Sequence, residues 1–303
     1  MSETTARPAA AQLGIPRQTT APSEGRAQAE QLAGTPTDWE LKKDRGSTTV
    51  WRVTGPTGQW ALKIGRDEDA AVVAREAEVL RRIATVPPTS YGTHSKSGRA
   101  SGSAWLLTPW LAGPSTWDAF RAVRDGSLDR SQALAAAVDL ATAVGALHQS
   151  GWVHGDVQPH HAIHAPGGVR LVGCSWAWHM SLPPSYASHG GLLYLMPPEL
   201  IRRVEDEQRL IAPSQRDETY TLAASLWWAA TNSWPLDYSQ LGIDPARFTG
   251  KGLREVLVRR WPPLGRIAAW PQLEEVLRAV LTARPNERPS ALHLAQWLRS
   301  LPS

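Results

Sequence analysis

The stretch WVHGDVQPHHAIHAPGGVRLVGCSWAWH, residues 152–179, concentrates the residue types that can do chemistry. Asp156 follows a histidine–glycine pair and stands just ahead of a proline, directly after a long apolar helical pattern. A carboxylate so placed can point into a cleft and accept a proton from a bound hydroxyl. His160, His161 and His164 lie close by, and imidazole nitrogens suit zinc, copper or nickel far better than magnesium. No thiolate stands at a suitable spacing, and adjacent loop histidines are more often hydrogen-bonded to backbone or exposed, so short spacing alone carries little weight. Further on, VRLVGCSW reads as a short strand running into a turn that offers Gly173, Cys174 and Ser175.

The elements that must position these groups follow from pattern. Between Asp38 and Ile64, TTVWRVTG and GQWALKIG are strand-like and separated by the turn signal GPTG. DEDAAVVAREAEVLRRIA then places Val72, Ala77, Val79, Leu80 and Ile83 on one helical face. PPTSYGTHSKSGRASGS reads as a loop leading to the strand AWLLTPWL. DRSQALAAAVDLATAVGALHQSG is a long helix closed by glycine. Helical patterns continue over 218–231, 252–259, 271–282 and 290–300. The sequence therefore predicts an α+β protein, strand-rich first and helix-rich afterwards, with the change near Pro109 to Gly113.

Composition narrows the function class. The 303 residues are 42% hydrophobic and 20% charged, enough to bury a large core. A formal charge of +4, with basic residues scattered, gives no support for a nucleic-acid surface. One cysteine excludes an internal disulfide and a cysteine-based metal cage, which fits a reducing, cytoplasmic compartment. No run of about 18 apolar residues suggests a membrane span. The opening MSETTARPAAAQLGIPRQTTAPSEG lacks the apolar core of a signal peptide, and residues 1 to 36 are expected to form a disordered tail. The 15 tryptophans, against 2 phenylalanines, are read as packing residues.

Taken in order from about Asp38 to Leu301, these pieces resemble a serine/threonine protein kinase. Lys63 in WALKIG falls where that family keeps the strand lysine that contacts nucleotide phosphates, and Glu76 in REAEVL where it keeps the helix glutamate that pairs with it. HGDVQP resembles the catalytic loop, with Asp156 as base and His154 as its support. YLMPPEL and RPSA place Glu199 and Arg288 at the pair that anchors an activation segment, and Glu218 stands where an aspartate is usual. The HGD spelling also occurs in aminoglycoside and choline phosphotransferases, which share the core. The resemblance implies a bilobal protein-kinase-like fold, with a small β-rich lobe over 37–112 and a larger helical lobe over 113–303.

The departures cluster where metal and phosphate are handled. Aligning LVGCS with the family's LIDFG puts Gly173 at the metal-holding aspartate, and five residues past Asp156 His161 replaces the metal-holding asparagine. Glycine offers no ligand, and a histidine nitrogen suits magnesium poorly. The glycine-rich loop is reduced to Gly46, with Ser47, Thr48 and Thr49 offering hydroxyls and amides to phosphate. Thr108 falls at the back of the implied cleft. With Lys63, Glu76 and Asp156 kept, the leading expectation is a pseudokinase: a regulatory or binding module with weak ATP binding, no magnesium ligands at the family positions, and a protein partner. The alternatives are an atypical protein kinase or small-molecule phosphotransferase working through Lys63 and Asp156, and a scaffold whose cleft is filled by tryptophan.

Overall fold

The computed structural model describes residues 21–100, 102–184, 192–206 and 211–302. The chain is a mixed α+β protein: a small antiparallel sheet near the N-terminus, then a helical remainder. Strands β1 (Asp38–Arg45), β2 (Thr48–Gly55), β3 (Gly58–Arg66), β4 (Lys96–Ala100) and β5 (Ser103–Pro109) form one sheet in the order β1-β2-β3-β5-β4. The GPTG signal is the β2–β3 turn, with Gly55 paired to Gly58. β4 occupies part of the stretch expected to be loop. Its Lys-Ser-Gly-Arg-Ala composition has no apolar alternation because it is an edge strand paired on one side only.

Residues 21–36 depart from the expected disordered tail, while residues 1–20 lie outside the described residues. Helix α1 (Arg26–Ala33) lies on the sheet, with Ala29 and Ala33 fully buried beside Trp51, Val53, Leu62 and Ile64. Its end is tied by the Thr57 N–H to the Ala33 carbonyl (2.9 Å) and the Thr57 hydroxyl to the Leu32 carbonyl (2.6 Å). Two alanines are too small a signal to outweigh a polar, proline-rich neighbourhood when composition is averaged. They suffice here because the sheet supplies the large apolar partners.

On the opposite face packs α2 (Glu68–Ile83). Its buried stripe is Val73, Glu76, Val79, Leu80 and Ile83, so the expected Val72 and Ala77 give way to Val73 and a carboxylate. Arg75 donates to the Ala177 (3.1 Å) and Leu182 (3.2 Å) carbonyls, tying the helix to the segment after Gly173.

The helical part comprises α3 (Thr116–Ala119), α4 (Arg121–Arg124), α5 (Ser131–Gln149), α6 (Pro198–Glu205), α7 (Gln215–Thr231), α8 (Gly250–Arg259), α9 (Pro271–Thr282) and α10 (Ala291–Arg299). A hairpin of β6 (Ala162–Ala165) and β7 (Gly168–Leu171) follows α5. The main core joins α2, α5, α7, α9 and α10. α7 is buried nearly all round, including Trp227, and Trp51 and Trp270 are likewise packed away. Among the described residues no helix is long and apolar enough to cross a membrane.

Candidate active site

A cleft of about 750 Å³ opens between the sheet and the β6–β7 hairpin, within the range of small-molecule pockets. From the sheet come Val50, Ala61, Lys63, Leu106 and Thr108, and from the opposite side Asp156, His161, Val172, Gly173 and Ser175. Trp110 and Trp176 also line it without filling it. Trp110 is held by Arg52, whose guanidinium lies 5.1 Å from its ring.

Alternation along β3 turns Lys63 inward, and the helical period of α2 turns Glu76 to meet it. Lys63 Nζ lies 2.5 Å from Glu76 Oε2. Burial alone would lower the lysine and raise the glutamate. Each is outweighed by its partner, so Lys63 is held above and Glu76 below the usual range.

The Asp156 loop is held by Glu218 at the start of α7. That carboxylate accepts from the backbone N–H groups of His154 (3.0 Å) and Gly155 (2.6 Å) and contacts His148 Nε2 at 2.7 Å. Burial pushes Glu218 up, but the hydrogen bond and charge of His148 and the Gly155 N–H bond outweigh it and leave it below the ordinary glutamate range. Glu218 thus does the work expected of an aspartate there. Gly155 has φ 78°, and a Cβ on it would lie 2.6 Å from the Trp176 carbonyl, so the sharp turn ahead of Asp156 requires glycine.

His154, expected as the support of Asp156, is fully buried behind it. Its Nε2–H donates to the Val172 carbonyl (3.1 Å), and Nδ1 accepts from the Asp156 N–H (3.3 Å), which fixes the neutral tautomer. Of the proposed phosphate contacts, Thr48 lines the cleft, whereas Gly46 and Ser47 form the two-residue turn between β1 and β2 and do not. Three further neighbours escaped sequence reasoning. Gln158 Nε2 donates to Asp156 Oδ1 (2.6 Å), and Lys43 and Arg45 reach the same cleft from β1.

The three histidines diverge. His160 stacks on Trp117 at 4.9 Å, and His164 Nε2 lies 2.8 Å from the Thr116 hydroxyl. His161 Nδ1–H donates to the Asp156 carbonyl (2.9 Å), with Asp156 Oδ2 at 3.4 Å. Among the described residues no three His, Cys, Asp or Glu side chains are grouped to hold a metal. Magnesium fits the family positions poorly as well. Gly173 sits at φ 76°, and a Cβ on it would lie 3.1 Å from the His161 ring, so imidazole fills the space a metal-binding carboxylate would need. Among the described residues lining the cleft, Asp156 alone offers a carboxylate from this side, and one of its oxygens is engaged by Gln158. Cys174, at the family's aromatic position, is buried against Tyr91 (4.0 Å), and burial pushes its thiol far up.

Away from the cleft, Arg288 makes a two-pronged ion pair with Glu199, as the C-terminal motifs predict. Arg288 is buried and Glu199 is partly exposed.

A model of the phosphotransferase enzyme family matches residues 40–151, and no curated protein matches the chain. The matched segment carries Lys63 and Glu76 and stops short of Asp156. Over those residues the chain is similar to phosphotransferase enzymes of the protein-kinase-like superfamily, a broader likeness than the serine/threonine kinase family its motifs suggest.

Proposed function

We propose that the chain is a bilobal, protein-kinase-like nucleotide-binding module, with lobes over 37–112 and 113–303, that has given up metal-dependent phosphotransfer. One observation carries this reading: His161 packs against Gly173 where two oxygen ligands for magnesium are needed. Phosphoryl transfer depends on positioning and on neutralising charge that develops on the phosphates, and the metal supplies much of that neutralisation. The Lys63–Glu76 pair and the apolar walls favour ATP as the ligand, held weakly. The open cleft argues against the tryptophan-filled scaffold. The Glu199–Arg288 pair, an anchor of the kind that kinases acting on proteins keep, supports a protein partner, and the single cysteine fits a cytoplasmic setting.

The second reading is an atypical phosphotransferase, favoured by Asp156, whose carboxylate faces the cleft and is oriented by Gln158. Transfer of label from γ-labelled ATP to the protein or to a mixed protein substrate, in magnesium, separates the two. The module reading expects no transfer above the level of Asp156→Ala. Transfer that depends on Asp156 would overturn it.

A further inference from the structure

β1 carries an irregularity with a consequence for the cleft. Its register against β2 is regular through Leu41↔Trp51, then slips so that Lys43 faces Val50. Lys42 is the extra residue. Without the slip, alternation would keep Trp39, Leu41 and Lys43 on the outer face, beside Trp51 and α1. The bulge turns the strand over, a use common beside binding sites. Lys43 and Arg45 then face the cleft, while Trp39 and Leu41 remain in the outer cluster.

Register locates Lys43 more closely. Lys43 pairs with Val50, and Val50 with Lys63, so the three lie in one row across the sheet. Residues opposite one another share a face, and two strand spacings set the lysine backbones roughly 10 Å apart. Lys63 is committed to Glu76. Neither Lys43 nor Arg45 has a hydrogen-bond or ion-pair partner among the described residues. Both keep contact with solvent. Asp69, the other carboxylate on this side, accepts from the Thr48 hydroxyl (2.9 Å). Loss of hydration, then the charges of Lys63 and Arg45, hold the Lys43 ammonium below the usual lysine range, while Asp156 and Glu76 pull it back. It therefore stands in the field of the whole cleft.

We infer that Lys43 is a phosphate-binding residue, re-aimed by the bulge so that side-chain cations from the sheet neutralise a nucleoside polyphosphate where no divalent cation can be held. The inference rests on the nucleotide reading above. The β1–β2 turn is too short, at two residues, to drape over phosphates. Cations on the strand beside it reach the same space by a different route. A lysine that merely protects the sheet edge from pairing would be indifferent to ligand.

The test is titration of the full chain with ATP and with adenosine, in EDTA, for the wild type, Lys43→Gln and Lys43→Arg. Lys43→Gln should weaken ATP about tenfold, the scale of one charge-assisted hydrogen bond, and leave adenosine unchanged. Lys43→Arg should keep most of the ATP affinity. Lys43 is exposed, so both variants should melt with the wild type. Unchanged ATP affinity in Lys43→Gln overturns the inference and leaves the nucleotide reading standing. Failure of the wild type to bind either ligand overturns both.

Discussion

The two walls of the cleft carry different chemistry. The sheet wall keeps a closed Lys63–Glu76 pair, apolar lining and added cations at Lys43 and Arg45. The loop wall carries Asp156, with Gly173 and the His161 ring packed against it where the kinase resemblance would place metal-holding side chains. The similarity to phosphotransferase enzymes covers residues 40–151, which include the sheet wall and end before Asp156. On the proposed function, the difference teaches that holding a nucleotide and activating it are separable tasks. The first needs charge and shape on the sheet, and the second needs oxygen ligands on the loops.

If that division is right, the loop wall should be repairable. Gly173→Asp with His161→Asn removes the ring that crowds Gly173 and adds two oxygen donors. Aspartate tolerates the left-handed conformation better than most residues, so the strain at φ 76° is smaller for it than for most side chains. The double variant should gain at least about 10²-fold in magnesium-dependent ATP turnover, and each single variant should gain less. Adding Asp156→Ala should abolish the gain. Turnover by the double variant that persists without Asp156 would break the comparison.

The scaffold beneath the loop wall should matter next. Glu199→Ala leaves the buried Arg288 guanidinium short of its partner, with Asp217 Oδ1 3.9 Å away as partial relief. The expected loss is about 3 kcal/mol in denaturant unfolding. A change under about 0.5 kcal/mol would mark the pair as a surface contact.

Much of this was legible because it rests on local pattern. Helix α9 over 271–282 matches its pattern end to end, and α5, α7, α8 and α10 differ only at their ends. Lys63 and Glu76 could be placed because each sits on an element whose period fixes its direction, and Asp156 because the HGD spelling marks its loop. What escaped depends on partners distant in sequence. Ala29 and Ala33 are informative only with Trp51 and Leu62 beneath them. Lys43 is one of several charges in ELKKDR until the bulge shows which face it takes. How His154 supports Asp156 shows only once the Val172 carbonyl and the Asp156 N–H claim the two nitrogens of its ring.

On the sheet wall, Lys63→Met removes the phosphate contact and leaves Glu76 buried without its counter-ion. ATP affinity should fall about 10–100-fold by titration, with adenosine less affected. Equal losses for both ligands would mean that the lysine supports shape rather than phosphate.

The smallest effect is a pH dependence. Glu76 and Glu218 are both held below the ordinary glutamate range. A depressed carboxylate contributes stability above its unfolded pKa of about 4.3 and loses it as pH falls through the folded value. The urea midpoint should therefore decline below about pH 4.5, and less steeply in Glu218→Gln. A midpoint that stays flat from pH 5 to pH 3 would contradict the assignment.

The central claim is that nucleotide binding here has been uncoupled from magnesium, and calorimetric titration of the unmodified chain with ATP tests it directly. In excess magnesium and in EDTA, the two dissociation constants should agree within about threefold. Tightening by about tenfold or more in magnesium would contradict the claim, because the loop wall would then be holding the ion after all.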